Sequence, residues 1–336
     1  MPPVPRSSRL PPRVTTDEDG RWLAAAACLA ERARPLSRPN PAVGAIALKD
    51  GVVIGRGWTQ PGGRPHAEAV ALAQAGEAAR GATLYVTLEP CAHRSERGPA
   101  CADLVAEAGL ARVVAGIEDP DSRTSGRGLA RLRRSGIEAV LAHDERCAAS
   151  LAGYTRARAT GFPEITLKLA VTADGFVART DGTSKWITGD AARAHVHRER
   201  ARADAILVGG GTFRADRPRL DVRLPGLEHR SPERLLLTRG EAPAGWTTIA
   251  HPREVANRGL QYLFVEGGAE TAEAFLVEGL VDRLLLYRSP TEFGDGIPAF
   301  RDPRPSGVPK GWRLADRRQL GSDILEVYYP GRNEGA

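Results

Sequence analysis

The feature that most narrows what this chain can be is the spacing of one histidine and two cysteines. "RPHAEAVALAQAG" (64–76) places His66 and Glu68 two apart at the start of an Ala-rich apolar run. About 20 residues later a β-rich stretch ends in Glu89-Pro90-Cys91, and nine residues separate Cys91 from Cys101. A lone H-A-E at a helix start also reads as a solvated cap, and two distant cysteines alone say little. Together they offer one imidazole and two thiolates, a donor set that Zn²⁺ favours. Three protein ligands leave a fourth position for water, whose pKa the metal lowers toward neutrality. Glu68, two residues past the histidine, is then placed to carry protons without binding the metal.

Helix and strand patterns alternate around these residues. Residues 21–33, "RWLAAAACLAERA", are strong helix formers. "RPNPAVGA" is a Pro-rich loop, and "AIALKDGVVIGRGW" predicts a hairpin turning at Asp50-Gly51. The pattern then predicts a helix from His66 to Gly76, a buried strand over 81–90, and helix over 99–109. Strand over 111–119 and helix over 126–136 follow. This alternation predicts a layered α/β domain. Cys28, inside an apolar helix, is expected to be a buried small hydrophobe. Cys147 has no ligand-like neighbours, and His93 is expected to serve the substrate or support the site rather than act as a fourth ligand.

The segment 143–163 is mixed and polar and ends in "TGFP", which predicts a domain boundary. The zinc domain is placed at 15–150 and a second domain at 160–333. The second has strands at 165–171, 205–208, 234–238, 261–265, 282–288 and 323–329, with helices near 190–203 and 269–279. Residues 1–14 hold five prolines and three arginines and read as a disordered tail. They lack a signal-peptide core, and no run of about 18 apolar residues occurs, so a cytoplasmic protein with no membrane partner is expected.

Net charge is +6, which suits nucleic acid or a small anion such as a phosphate ester. No Lys/Arg block is interleaved with aromatics, and aromatics make up only 5%. The small anion is therefore the expected partner. The signature H-x-E followed by P-C…C is that of zinc nucleobase deaminases. A nucleic-acid deaminase with an appended domain is the first alternative, but those enzymes usually show P-C-x-x-C.

The first half resembles the deaminase domain of the bifunctional riboflavin-biosynthesis deaminase–reductases. The matching stretches are "RPNPAVGAIALKDG", "PHAE", "TLEPCAH" with "GPAC", and "EDPD…GRGLARLRRSGI", across most of residues 20–140. The resemblance implies a cytidine-deaminase-like three-layer α/β/α domain in which His66, Cys91 and Cys101 bind zinc. It implies that Glu68 gives and takes protons and that Asn40 contacts the pyrimidine. One departure is visible: the family pattern has eight residues between the cysteines, and this chain has nine.

In the second half, "AILVGGGTFRADRPRLDVR" (205–223) and "YLFVEGGAETAEAFL" (262–276) each put glycines directly after a strand, where backbone can approach a phosphate. Neither is a G-x-G-x-x-G fingerprint, so a Rossmann domain is not supported. With "FPEITLKLAVTADGFVA" and "GTSKWITGD", these stretches are similar to the reductase domain of the same family, a dihydrofolate-reductase-like α/β fold. The resemblance implies NADPH contacts at Ala170, Trp186, Thr212, Asp216, Thr238 and Gly268. It implies substrate contacts at Ser184, Arg200, Leu220, Arg223 and Glu266, where Arg200 and Arg223 suit a phosphate. Lys168, mid-strand among apolar residues, needs a partner: substrate, Asp174 or Glu266.

Two departures stand out here. Only about 25 residues separate the strand at 234–238 from "FVEGG", so a strand–helix unit is expected to be reduced or missing. Glu270 and Glu273 also place acid near the expected cofactor phosphate. They motivate a second alternative, a C-terminal half that is a non-catalytic binding module. The family implies a phosphorylated pyrimidine substrate and a homo-oligomer.

Overall fold

The computed structural model describes residues 15–183, 187–300 and 308–331; the expected tail at 1–14, Ser184 and Trp186 lie outside them. The chain divides into two units between Ala152 and Gly153.

The first unit runs α1 (Asp17–Ala30), β1 (Gly44–Lys49), β2 (Val52–Trp58), α2 (Ala67–Ala75), β3 (Thr83–Leu88), α3 (Cys101–Glu107), β4 (Arg112–Ile117), α4 (Arg127–Arg134), β5 (Glu138–Leu141) and α5 (Glu145–Ser150). Its sheet order is β2-β1-β3-β4-β5. β1 is antiparallel to β2 and β3, while β3, β4 and β5 are parallel. Asp50 and Gly51 both take positive φ, as a tight two-residue hairpin turn requires.

Helix α1 starts four residues earlier than its apolar run predicts. Thr16 and Asp19 form a capping box in which each side chain accepts from the other's backbone N–H. Cys28 faces solvent on α1, not the core: Leu23, Ala26, Ala27 and Ala30 form the buried stripe, and residue 28 falls off it.

Two glycines show that helices cover both faces of this sheet. A Cβ on Gly44 would lie 2.0 Å from the Ala26 carbonyl of α1, and one on Gly57 2.3 Å from the Ala67 carbonyl of α2. Gly57 pairs with Ala45, the strand neighbour of Gly44, so the two glycines point to opposite faces. The three-layer α/β/α arrangement therefore rests on backbone contact at both faces. The short β5 ("EAVL") has too few residues to show a pattern in the sequence, and 143–163 is helical rather than irregular.

The second unit begins one residue into α6 (Ala152–Thr160) and continues through β6 (Glu164–Val171), β7 (Phe176–Ala178), α7 (Asp190–Arg200), β8 (Ala205–Gly209), α8 (Gly210–Asp216), β9 (Glu233–Leu237), β10 (Thr247–Ile249), β11 (Tyr262–Glu266), α9 (Ala269–Val277), β12 (Arg283–Arg288), β13 (Ile297–Pro298), β14 (Trp312–Leu320) and β15 (Asp323–Pro330). Its eight-stranded sheet has the order β10-β9-β8-β11-β6-β12-β15-β14, and β13 pairs with β7 separately. All neighbours from β10 to β12 are parallel, and β15 runs antiparallel between β12 and β14.

Strand β6 explains the placement of Lys168. Ile165, Leu167, Leu169 and Val171 enter one core with Phe275 and Leu284. Ala170 packs on the opposite side, against the core of Phe264, Tyr287 and Leu325. Lys168 shares that second side by the period-two alternation of a strand. The segment expected to be reduced retains its unit in miniature: β10 has three residues, followed by one 3₁₀ turn at Pro252–Val255. β14 is not among the expected strands because nearly every residue in "WRLADRRQL" is exposed, so no hydrophobic alternation marks it.

Candidate metal centre and cofactor cavity

His66 is the N-cap of α2 and makes no side-chain capping bond there. Its ring turns instead to the cysteines, with Nδ1 3.2 Å from Cys101 Sγ and 3.7 Å from Cys91 Sγ. Cys101, at the start of α3, points its backbone N–H at Cys91 Sγ (3.2 Å). Among the described residues these three are the group of His, Cys, Asp or Glu whose ligand atoms lie within 4.8 Å of one another. One nitrogen and two sulfurs at that spacing fit Zn²⁺, and the nine-residue loop brings both sulfurs into reach. A hydrogen bond from the Cys101 thiol, with further ones from His66 and the Cys101 N–H, holds the Cys91 thiol below the usual thiol range. The same bond and burial push the Cys101 thiol up.

Glu68 lies one residue into α2 and is 4% exposed. Burial raises its carboxyl pKa. Asn40 stands on the other side of His66, with Nδ2 3.0 Å from His66 Nε2 and donating to the Gly63 carbonyl at 2.9 Å. Gly63 has a φ of +87°, and a Cβ on it would meet the Asn40 side chain at 2.7 Å, so only glycine suits that position. His93 is not part of the trio; its Nδ1 is 3.3 Å from Thr124 Oγ1. Next to it a groove of about 740 Å³ is lined by Ala92, His93, Ser125, Arg123 and the arginines Arg127, Arg131 and Arg134 of α4.

In the second unit a cavity of about 790 Å³ opens at the C-terminal ends of β6, β8, β9 and β11. Ligands of parallel α/β sheets gather at that end. Of the expected residues, Lys168, Ala170, Arg200, Thr212, Asp216, Leu220, Arg223, Glu266 and Gly268 line it. Thr238 does not, although its Oγ1 would be 3.5 Å from a Cβ on Gly210, which does. The cavity and the glycine turns along its wall fit a dinucleotide. Gly209 and Gly267 are glycine for a packing reason. A Cβ on Gly209 would lie 2.1 Å from Thr271 Oγ1, and one on Gly267 2.4 Å from Thr271 Cβ. Of the two acids on the α9 turn, Glu270 lines the cavity and Glu273 is not among its lining residues.

Arg200 is placed differently from the expected phosphate clamp. Its fork faces Glu266, with Nε to Oε1 at 2.6 Å and Nη2 to Oε2 at 2.9 Å, and Nη1 donates to the Asp221 carbonyl. The bidentate edge that would grip a phosphate is therefore taken. Lys168 has Glu266, its register partner on β11, as its carboxylate. Asp174 instead accepts from the N–H groups of Phe293 and Gly294. Burial lowers the Lys168 pKa despite Glu266; Glu266 is itself held low, because Arg200 outweighs the effect of burial. His197 and Thr271 also line the cavity and were not singled out in the sequence. His197 lies three residues before Arg200, so helical spacing could have found it.

Residues 16–117 match the family described as the cytidine and deoxycytidylate deaminase zinc-binding region, and residues 163–245 and 252–325 match the RibD C-terminal domain. The chain is 33% identical to riboflavin biosynthesis protein RibD of Haemophilus influenzae, over 94% of this chain and 98% of that one. It is 36% identical to RibD of Escherichia coli, over 82% and 89%. Among solved structures, RibD of Acinetobacter baumannii superposes with a TM-score of 0.84 at 34% identity, covering 94% of this chain and 99% of that one. A diaminohydroxyphosphoribosylaminopyrimidine deaminase/5-amino-6-(5-phosphoribosylamino)uracil reductase of Thermotoga maritima does so with a TM-score of 0.84 at 30% identity, covering 93% and 98%. These matches span both units and favour neither the nucleic-acid alternative nor the non-catalytic one. The chain belongs to the RibD family of riboflavin-biosynthesis enzymes, with a zinc-dependent pyrimidine deaminase in its first half and an NADPH-dependent reductase in its second.

Proposed function

We propose that the first domain (15–150) deaminates 2,5-diamino-6-ribosylamino-4(3H)-pyrimidinone 5′-phosphate and that the second (160–333) reduces the ribosyl group of the product to ribityl. The observation that carries this reading is the meeting of the His66 nitrogen and two cysteine sulfurs, with the buried Glu68 on the same turn. His66, Cys91 and Cys101 would hold zinc, which would make a water nucleophilic near neutral pH. Glu68 accepts a proton from the attacking water and gives it to the ring nitrogen; it then takes the proton of the hydroxyl left on the ring carbon and gives it to the departing amine, so that ammonia leaves as the carbonyl forms. Burial, which raises its pKa, favours a carboxyl that takes protons and gives them back. Asn40 keeps the His66 ring oriented and offers the rest of its amide to the pyrimidine. The arginine-lined groove beside His93 seats the 5′-phosphate.

In the second domain the cavity would hold NADPH, which would be the hydride source for C1′ of the ribose. Ala170, Thr212, Asp216, Thr238 and Gly268, with Trp186, hold the nicotinamide nucleotide. Leu220, Arg223, Glu266 and Lys168, with Ser184, hold the substrate. Arg200 fixes Glu266, and Arg223, exposed at the rim with its Nε 3.5 Å from Asp221 Oδ1, is the cation that takes the phosphate. Lys168, with its lowered pKa, is suited to give a proton to the ribose oxygen as the ring opens. We further propose a cytoplasmic homo-oligomer, as in the family resemblance; a reducing compartment keeps the two ligand cysteines as thiols.

The test is a two-stage assay on zinc-loaded protein: ammonia release from the diaminopyrimidine ribosyl phosphate, then NADPH oxidation on the same sample. Both should be seen. No ammonia refutes the first assignment, and ammonia without NADPH oxidation refutes the second. Light scattering at assay concentration should give at least twice the chain mass; a monomer refutes the oligomer.

A further inference from the structure

The segment that carries the ligand Cys91 is fastened to the chain between β4 and α4 by bonds that the chemistry above does not use. Glu89, two residues before Cys91, is 2% exposed. Its carboxylate accepts from three backbone N–H groups: Gly126 at 2.9 Å and Asp119 at 3.4 Å on Oε2, and Leu129 at 3.0 Å on Oε1. On the far side of Cys91, the Ala92 N–H donates to Thr124 Oγ1 at 3.4 Å, and His93 Nδ1 lies 3.3 Å from the same oxygen. Cys91 is thus the middle of a five-residue stretch held at both ends by one arm, residues 119–129.

That arm is itself rigid. Asp119 accepts from the Asp121 N–H at 2.9 Å, and the Asp121 carbonyl accepts from the N–H groups of Thr124 and Ser125. Contact with the ligand strand is backbone to backbone: a Cβ on Gly128 would lie 2.0 Å from the Pro90 carbonyl. Nothing larger than glycine lets α4 approach so closely. A buried carboxylate satisfied by three amides cannot move without leaving donors unpaired in the interior, so it transmits the position of the arm to the strand end.

We propose that Glu89, with Thr124, is a positioning residue of the metal centre: it acts through Cys91, setting where that sulfur stands relative to His66 and Cys101. Groups that orient metal ligands from outside the coordination shell change metal affinity when removed. The proposal rests on the zinc-deaminase reading of the first domain.

The experiment uses the full chain and three readouts on Glu89→Gln and Thr124→Val. These are zinc affinity by competition with a chromophoric chelator, the visible absorption spectrum of the cobalt(II)-loaded protein, and thermal melting of the metal-free protein. Glutamine keeps the volume but turns an N–H₂ toward backbone donors. It should weaken zinc binding about 10- to 100-fold. It should also alter the cobalt bands at saturating metal, because the sulfur is displaced. Thr124→Val should move both in the same direction by less. A purely structural Glu89 would lower the metal-free melt and leave the saturated cobalt spectrum unchanged, and that result overturns the proposal. If Glu89→Gln does not fold, the Thr124→Val spectrum and affinity decide alone. A wild-type chain that takes up no zinc overturns the metal-centre reading itself, whereas wild-type binding with unaltered variants overturns only the brace.

Discussion

Glu199 on α7 offers the sharpest test of the energetics behind the reductase cavity. It is 6% exposed and pairs with the guanidinium of Arg283 on β12, which also donates to Thr166 Oγ1 at 3.1 Å. Burial pushes its carboxyl up, but Arg283, Arg202 and neighbouring groups bring it down from 4.5 to about 2. A tenfold strengthening of an acid corresponds to about 1.4 kcal/mol, so the ionised carboxylate contributes about 3 kcal/mol, to order of magnitude. The carboxylate is depressed in the folded state. Its contribution is therefore complete above pH 4.5 and fades as pH falls through about 2. Glu199→Gln should cost about 3 kcal/mol at pH 7, because the half-buried Arg283 is left without its counter-charge. It should also flatten the stability profile between pH 4.5 and 2. The assay is urea unfolding at several pH values, followed by the NADPH-oxidising activity that survives, which isolates the second domain. A variant within about 0.5 kcal/mol of wild type at pH 7, an ordinary surface-substitution effect, would refute the reasoning.

Further outcomes follow from the two sites. Glu68→Ala should keep stoichiometric zinc and lose ammonia release by at least about 10²-fold, the usual weight of a general acid–base; retained turnover would sink the assigned role. Gly209→Ala should weaken NADPH binding, measured by fluorescence titration, and destabilise the second domain by about 1–3 kcal/mol, because the new Cβ would sit 2.1 Å from Thr271 Oγ1. Arg223→Ala should raise the KM for phosphorylated substrate with little change in kcat, since a phosphate grip binds ground and transition states alike. An unchanged KM would place the phosphate elsewhere.

Much of this was legible in the sequence because the strands carry strong signals. The β-rich runs at 83–88, 164–171 and 283–288 are largely buried, and the glycines after β8 and β11 mark turns. The metal trio was legible because imidazole and thiolate have few other uses in that combination. Exposure and reciprocity were harder to see. Cys28 has apolar neighbours along the chain, yet a helix buries one stripe and residue 28 falls outside it. β14 has no buried face to leave a pattern. Arg200 reads as an anion contact because its partner, Glu266, lies 66 positions along the chain. Glu89 shows the same limit. A carboxylate before "PC" says nothing of three backbone donors that fold back from 119–129.

Gly57 bears on any attempt to redesign the substrate range of the deaminase. It lies in β2 away from the pocket chemistry, yet Ala67, whose carbonyl it abuts, is the residue that follows His66. The distance between sheet and helix there is a mechanical tolerance of the coordination sphere, held at its minimum by a missing side chain. Random mutagenesis that samples β2 will therefore produce inactive variants whose lesion is metal geometry, though the mutated residue touches neither metal nor substrate. A library that holds Gly57 fixed and varies the groove arginines separates those two kinds of failure before selection begins.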